Sequence, residues 1–271
     1  KLKLRHLPQA LALSAEAGWN QIAPDWLLMI KHGHAIGVED GKEGALVASA
    51  LALPVGADLA WISMVLVTVS HRRRGLASRL VSDCLAWLEA RGSAAVLDAT
   101  AAGAEVYRPL GFATVRRITR WEHPGEIPVT ATPQVDLRPD DMNWLQPLDE
   151  NVSGVPRRFI LADLLNRPNA VALGLPSLDG FALPREGRIA TLIGPVTAPD
   201  SAAAIALLDA MLSRLRGSIF IDAYDDQVAF VAHLEQLGFR RQRGFERMVR
   251  GRGGSVGDMA RSFAVAGPEL G

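Results

Sequence analysis

In the stretch VTVSHRRRGLASRL, Val67–Leu80, His71, Arg72, Arg73 and Arg74 stand immediately before Gly75. The chemistry open to such a cluster is to hold an anion. An apolar run ends just ahead of it. From Gly75 onward the period changes, and Leu76, Leu80, Cys84, Leu85 and Leu88 fall on one helical face. A strand that feeds a helix through a short turn leaves backbone N–H groups free at the helix start. Those groups, with the helix dipole, attract phosphate oxygens. Gly75 allows close backbone approach, and a guanidinium can grip a phosphate in a fork. Neither GxxxxGK[ST] nor GxGxxG occurs here, so the turn is neither a P-loop nor a dinucleotide fingerprint. Taken alone, it reads equally as a solvated basic corner.

The other reactive residue types are scattered. Glu16 and Asp25 flank AGWNQ, Ala17–Gln21, in an early helical region, where helix surface or cap roles also suit them. Asp98, in VLDAT, lies near a strand end and could reach a cleft or cap the next helix. Asp222, Asp225 and Asp226 follow IFI, where caps and turns are the simpler expectation. His32 and His34 are close in sequence but lack a third ligand at a recognisable spacing, and Cys84 is the only cysteine. No metal site and no internal disulfide are expected. Lys plus Arg and Asp plus Glu both number 29, so no global charge steers the chain toward nucleic acid or an anionic membrane. No apolar run reaches the length of a membrane span, and KLKLRHLPQA lacks a secretory core. The expectation is a cytoplasmic protein, monomeric or homodimeric, with a small-molecule partner.

The elements that must position these groups follow from periodicity. Residues 2–7 read as a short strand, Pro8–Ala17 as a helix, and Pro24 as the start of another through His32. His34–Val38 and Ala45–Leu53 read as strands around the turn EDGKEG, and Leu59–Val69 as a long apolar strand. A strand at Ala94–Leu97, a short helix at Ala101–Leu110 and a closing strand at Phe112–Trp121 complete a first unit. HPGEIPVTATPQ, His123–Gln134, reads as a linker. The order then begins again: a strand at Val135–Leu137, helices to Asn166, strands between Ala170 and Val196, and a helix at Ala202–Leu215. A strand at Ile219–Ile221, a helix at Gln227–Leu237 and a strand at Phe239–Val249 follow. RPLGF, ending at Phe112, and EQLGF, ending at Phe239, echo each other at a helix-to-strand junction. The expectation is duplication: residues 1–122 and 135–250 as two related units, 123–134 between them. The tail 251–271 could be a loose end or an added element.

RRRGLA, Arg72–Ala77, fits the R/Q-x-x-G-x-G/A signature of the GNAT superfamily of N-acetyltransferases. WISMVLVTV before it and VYRPLGF after it stand where that superfamily has its central strand and acceptor-side helix. Residues 1–122 therefore resemble a GNAT domain. The second half is similar to the divergent second domain of bacterial tandem GNAT proteins, most visibly in GRIATLIGPVTA, Gly187–Ala198. The resemblance implies an α/β fold with a mixed sheet in two tandem acyl-CoA N-acyltransferase-like domains, the second degenerate. It implies acetyl-CoA as cosubstrate, its pyrophosphate on Arg72, Arg73, Arg74, Gly75, Leu76, Ala77 and Ser78, and its pantetheine arm along Leu66, Val67 and Thr68. It implies Tyr107 as the acid that protonates the sulfur, and Trp19, Asn20 and Asp25 as acceptor contacts. Many relatives carry a glutamate near the beginning of the central strand; this chain has Trp61 there, so the base is unassigned.

The second half lacks the phosphate turn. After IGPVTAPD its helix opens with SAAA, and the position four before Gly238 is Leu234 rather than a tyrosine. The leading expectation is transfer of an acetyl group to a primary amine of a small molecule or amino-acid-like acceptor. A non-catalytic acyl-CoA-binding module and a structural protein on a degenerate tandem fold are the alternatives.

Overall fold

The computed structural model describes residues 1–41, 44–168, 171–254 and 256–271, so Lys42 and Glu43 of the EDGKEG turn and Ala170 lie outside it. Helices α1 (Leu7–Glu16) and α2 (Ala23–His32) precede an antiparallel meander of β1 (His34–Asp40), β2 (Ala45–Pro54) and β3 (Leu59–Val67). Helix α3 (Leu76–Glu89), β4 (Ala94–Ala99), α4 (Ala101–Tyr107) and β5 (Ala113–His123) follow. The second half repeats the pattern with β6 (Val135–Asp136), α5 (Met142–Ser153), α6 (Arg158–Leu165), β7 (Leu173–Gly174), β8 (Phe181–Arg185) and β9 (Thr191–Thr197). It continues with α7 (Ser201–Arg214), β10 (Ile219–Tyr224), α8 (Val228–Gln236), β11 (Arg240–Arg250) and β12 (Ser262–Ala264).

One expected element is different. Residues 2–7 are not a strand: a 3-10 turn at Leu4–His6 runs directly into α1. The Lys3 N–H donates to His6 Nδ1 at 2.8 Å, and Pro8 fixes the backbone at the helix start. The segment meets the sheet edge through the Leu2 N–H, which donates to the Ala35 carbonyl, and through His6 Nε2, 3.1 Å from Glu39 Oε1 of β1.

The twelve strands of the described residues join one mixed sheet in the order β1-β2-β3-β4-β11-β5-β10-β12-β9-β8-β7-β6. The pairs β3–β4 and β9–β10 are parallel, as crossover helices α3 and α7 require. Helix α3 lays Leu80, Val81, Cys84, Leu85 and Leu88 on the first half of the sheet, and α7 lays Leu207, Leu208 and Met211 on the second. The Cys84 thiol sits in that first core, where burial pushes its pKa up to about 12 and leaves it unreactive.

The two halves exchange their long closing strands. Strand β11 lies between β4 and β5, and β5 lies between β11 and β10. Each exchanged strand is anchored by a buried ion pair. Arg247 of β11 grips Asp98 of β4 with two hydrogen bonds of 2.8 Å. Arg120 of β5 grips Asp222 of β10 with two of 2.7 Å. Arg120 and Arg247 stand eight residues after Phe112 and Phe239, so the duplication carries the anchor twice. Removing one partner of such a pair strands the other charge in the interior. Arg247→Met should therefore lower the free energy of unfolding by about 3 kcal/mol. Urea denaturation measures it; a loss below about 1 kcal/mol would show that the pair does not anchor the strand.

Candidate functional site

The site begins with a bulge. Opposite Ala50 of β2, strand β3 inserts two residues, Met64 and Val65, between the pairs Ser49↔Leu66 and Leu51↔Ser63. Met64 takes a left-handed φ of +52°, rare for a residue with a side chain. The bulge turns β3 away from β4. Their ladder covers only Leu59–Trp61 against Ala94–Val96 and stops there. Beyond it the edge of β3 facing β4 is unpaired, while its other edge stays on β2 as far as the Thr68 N–H, which donates to Val47 O. A cavity of about 300 Å³ opens in this splay, with Ile62–Val65 on one wall and Leu97–Thr100 on the other.

At the end of β3 the chain makes a 3-10 turn, Val69–His71, and then enters α3 through Arg72–Gly75. Arg73 (φ +59°) and Gly75 (φ +74°) are both left-handed, which turns successive N–H groups toward one side. The first bond of α3 runs from the Arg79 N–H to the Gly75 carbonyl, so the N–H groups of Leu76, Ala77 and Ser78 ahead of it have no acceptor among the described residues. A Cβ at Gly75 would meet nothing within 4 Å, so the space before these donors is open. Ala77 reaches the cavity wall. Two of the arginines brace the turn: Arg72 Nε donates to Val67 O at 3.1 Å, and an Arg74 Nη donates to Ser70 O at 2.9 Å. Arg73 is exposed. Glu16 accepts from Thr68 Oγ1 and the Val69 N–H, which hold its carboxyl below the usual range; it fastens α1 to the turn. His71 pairs with Asp40 at 2.9 Å on the turn's rim.

Tyr107, the last residue of α4, lines the cavity. Its ring leans on Phe112, and burial pushes the hydroxyl's pKa up to about 12. It is half-buried, and among the described residues its hydroxyl makes no hydrogen bond. Asp98 also lines the cavity, but both its oxygens are held by Arg247, and burial holds its pKa above the usual carboxylate range. The cap of α4 is Thr100 instead, whose Oγ1 accepts from the Gly103 N–H. Trp61 faces away from the cavity, toward Gly271 and Arg247.

The three expected acceptor contacts separate. Trp19 and Asn20 are on the cavity wall. The Asn20 amide, however, is largely committed: Oδ1 accepts the Ile189 and Ala190 N–H groups, and one Nδ2–H donates to Ala190 O. This clamps the first half to the loop before β9, and a Cβ at Gly187 would overlap the amide. Asp25 is off the cavity wall. It caps α2 through the Ile22 N–H and is shared by Arg167 and Arg185. Asp149 is buried against Arg157, and Asp226 pairs with Arg116.

Sequence reasoning missed part of the wall. Arg120, Arg243 and Phe245 come from the exchanged strands, and Pro268 and Glu269 from the tail. Glu269 is 3% exposed; its Oε1 binds Arg185 at 2.6 Å and Gln21 at 2.8 Å, while among the described residues Oε2 has no hydrogen-bond partner. No local pattern marks these residues, since none is near the turn in sequence. Among the described residues, no group of three or more His, Cys, Asp or Glu could hold a metal.

The second half has the same bulge and a different splay. Gly194 and Pro195 are inserted opposite Leu183, as Met64 and Val65 are opposite Ala50. The β9–β10 ladder likewise covers only Thr191–Ile193 against Ile219–Ile221. Here the opening is filled by β12, which bonds to β9 at Val196 and Thr197 and to β10 at Ala223. Phe263, Ala264, Val265 and Ala266 are buried. The tail is thus an added element rather than a loose end. A Cβ at Gly194 would sit 1.9 Å from the Val265 carbonyl oxygen. Gly194→Val should therefore raise hydrogen exchange at residues 262–266 and leave α3 unchanged. Equal protection of that segment in both proteins would contradict the packing.

Comparison with known families matches residues 6–112 to a family model described as "Acetyltransferase (GNAT) family" and residues 145–264 to one described as "Acetyltransferase (GNAT) domain". Comparison with curated proteins returns no match. Among solved structures, the chain is similar to a proposed acetyltransferase from Pyrococcus horikoshii at 16% identity, with a TM-score of 0.81, covering 98% of this chain and 93% of that one. It is similar to a GCN5-related N-acetyltransferase from Sphaerobacter thermophilus at 17% identity and a TM-score of 0.64, covering 95% and 96%. It is also similar to a tandem GNAT protein from the clavulanic acid biosynthesis pathway at 14% identity and a TM-score of 0.63, covering 93% and 96%. At these identities the structures establish the fold.

Proposed function

We propose that this chain, which belongs to the GNAT family of acetyltransferases through both of its halves, is an acetyl-CoA-dependent N-acetyltransferase with a single working cofactor cleft. The acceptor is a primary amine of a small molecule or an amino-acid-like compound. The observation that carries the reading is the contrast between the splays. In the first half the splay is open and leads to a helix start with three free N–H groups. In the second half it is bridged by β12. Residues 1–122 then form the acetyltransferase unit and 135–250 a degenerate one, joined by 123–134.

Acetyl-CoA would supply an activated acyl group as a thioester. The chain's own residues account for the rest. The N–H groups of Leu76, Ala77 and Ser78, with the charge of Arg72–Arg74, hold phosphate oxygens. The edge of β3 that faces away from β2, with Leu66, Val67 and Thr68 at its end, offers its remaining N–H and C=O groups to an amide-bearing arm, as an added strand would; the Thr68 N–H donates to Val47 O and the Val67 carbonyl accepts from Arg72 Nε. The Tyr107 hydroxyl keeps its proton at neutral pH and has no protein acceptor, so it can deliver that proton to a departing thiolate. Trp19 forms part of the acceptor wall.

One observation favours a second reading, an acyl-CoA-binding module without turnover. Asp98 and Glu269, the two carboxylates on the cavity wall, are both held by arginines, so no free base is in place. Thiol release from acetyl-CoA over a panel of amines decides between them. Release that depends on an acceptor supports the enzyme; tight binding with no release for any amine supports the module.

A further inference from the structure

The cavity wall carries four charged side chains: Asp98, Arg120, Arg243 and Glu269. Three of them are neutralised. Asp98 lies on Arg247, Arg120 on Asp222, and Glu269 on Arg185. Arg243 is the exception. Its Nε donates to Gln242 Oε1 at 3.1 Å, and among the described residues it enters no ion pair. The carboxylates that act on it electrostatically are Asp222 and Glu122, and both are in use: Asp222 holds Arg120, and Glu122 accepts from Gln242 Nε2 at 2.6 Å. Arg243 is half-buried, and burial together with the nearby charge of Arg120 disfavours its cation. A desolvated guanidinium beside a second one is a standing cost that a bound anion removes.

The surroundings say which anion. The register of β11 against β5 slips between Arg241 and Arg243, where Gln242 is the extra residue, and the slip sets Arg243 opposite Arg120. Both lie on the β11–β5 side of β4, whereas the phosphate-binding turn lies beyond β3, on the other side of β4. Arg243 is therefore placed away from the phosphates of a cofactor. Phe245, two residues along the same strand, lines the same cavity and gives it an apolar surface. We infer that Arg243 binds a carboxylate of the acceptor, so that the substrate class is amines that also carry a carboxylate on an apolar body. The inference rests on the acetyltransferase reading and narrows it.

The test uses matched acceptors, amino acids and the same compounds decarboxylated or esterified, with the full chain and Arg243→Gln. The wild-type protein should prefer the free carboxylate in kcat/KM. Arg243→Gln should raise KM for the carboxylate-bearing member roughly tenfold to hundredfold and leave its ester unchanged. Arg243→Lys should keep part of the preference, which controls for misfolding together with thermal unfolding of each variant. Acetyl-CoA binding, followed by calorimetry on the same samples, should not change. No preference for the carboxylate in the wild-type protein, or a preference that survives Arg243→Gln, would overturn the assignment while the cofactor reading stands. Absence of acetyl-CoA binding in the wild-type protein would overturn both.

Discussion

Replacing Tyr107 with Phe is expected to lower kcat by roughly 100-fold or more, while the dissociation constant for acetyl-CoA stays within about twofold, since the expected loss lies in proton transfer. The change removes one oxygen and keeps the ring that packs on Phe112. It leaves no buried group unsatisfied, because the hydroxyl has no hydrogen-bond partner among the described residues. Stability should therefore be unaffected, and the loss confined to the step that needs a proton. The pH dependence separates Tyr107 from other acids. Burial raises its pKa from 10 to about 12, and an acid is active below its pKa. The wild-type rate should rise with pH as the amine loses its proton, and show no falling limb up to about pH 10. A falling limb with a midpoint near 8, or an unchanged kcat in Tyr107→Phe, would move the acid elsewhere.

The second large effect is at the turn. Gly75→Asp is expected to weaken acetyl-CoA binding by roughly 100-fold, through two causes that a control separates. A side chain there enters the open space before the free N–H groups, where the anion would lie, and a carboxylate at the open helix start repels phosphate. Gly75→Asn carries nearly the same bulk without the charge, so its loss should be roughly tenfold, the worth of about one hydrogen bond to the anion. Nothing lies within 4 Å of the new Cβ, so neither variant should disturb the core. Equal binding by Asp and Asn variants would mean that no anion sits there. Binding equal to wild type in both would take the turn out of the site.

What was legible in the sequence was local. The period change at Gly75 and the charge beside it mark the turn because strand, turn and helix are consecutive, and Tyr107 precedes a glycine that must stop its helix. The repeat of LGF marks two related halves. The cavity wall was not legible, because its pieces are brought together by pairing across more than a hundred residues. Nothing near Arg243 says that β11 crosses into the first half, and nothing near Glu269 says that the tail fills the second splay. Asn20 and Asp25 illustrate the converse. Both are polar residues in the right region, yet Asn20 spends its amide on the loop before β9, and Asp25 is taken by a helix cap and two arginines. A single sequence does not reveal which polar groups the interior has already claimed.

The central claim is that two related halves share one working cleft, because the chain's own segment 262–266 takes the place in the second half that a cofactor arm would take in the first. Calorimetric titration of the full chain with acetyl-CoA tests it most directly. The account predicts one site per chain, abolished or strongly weakened by Gly75→Asp. Two sites per chain, or one that is indifferent to Gly75→Asp, would contradict it.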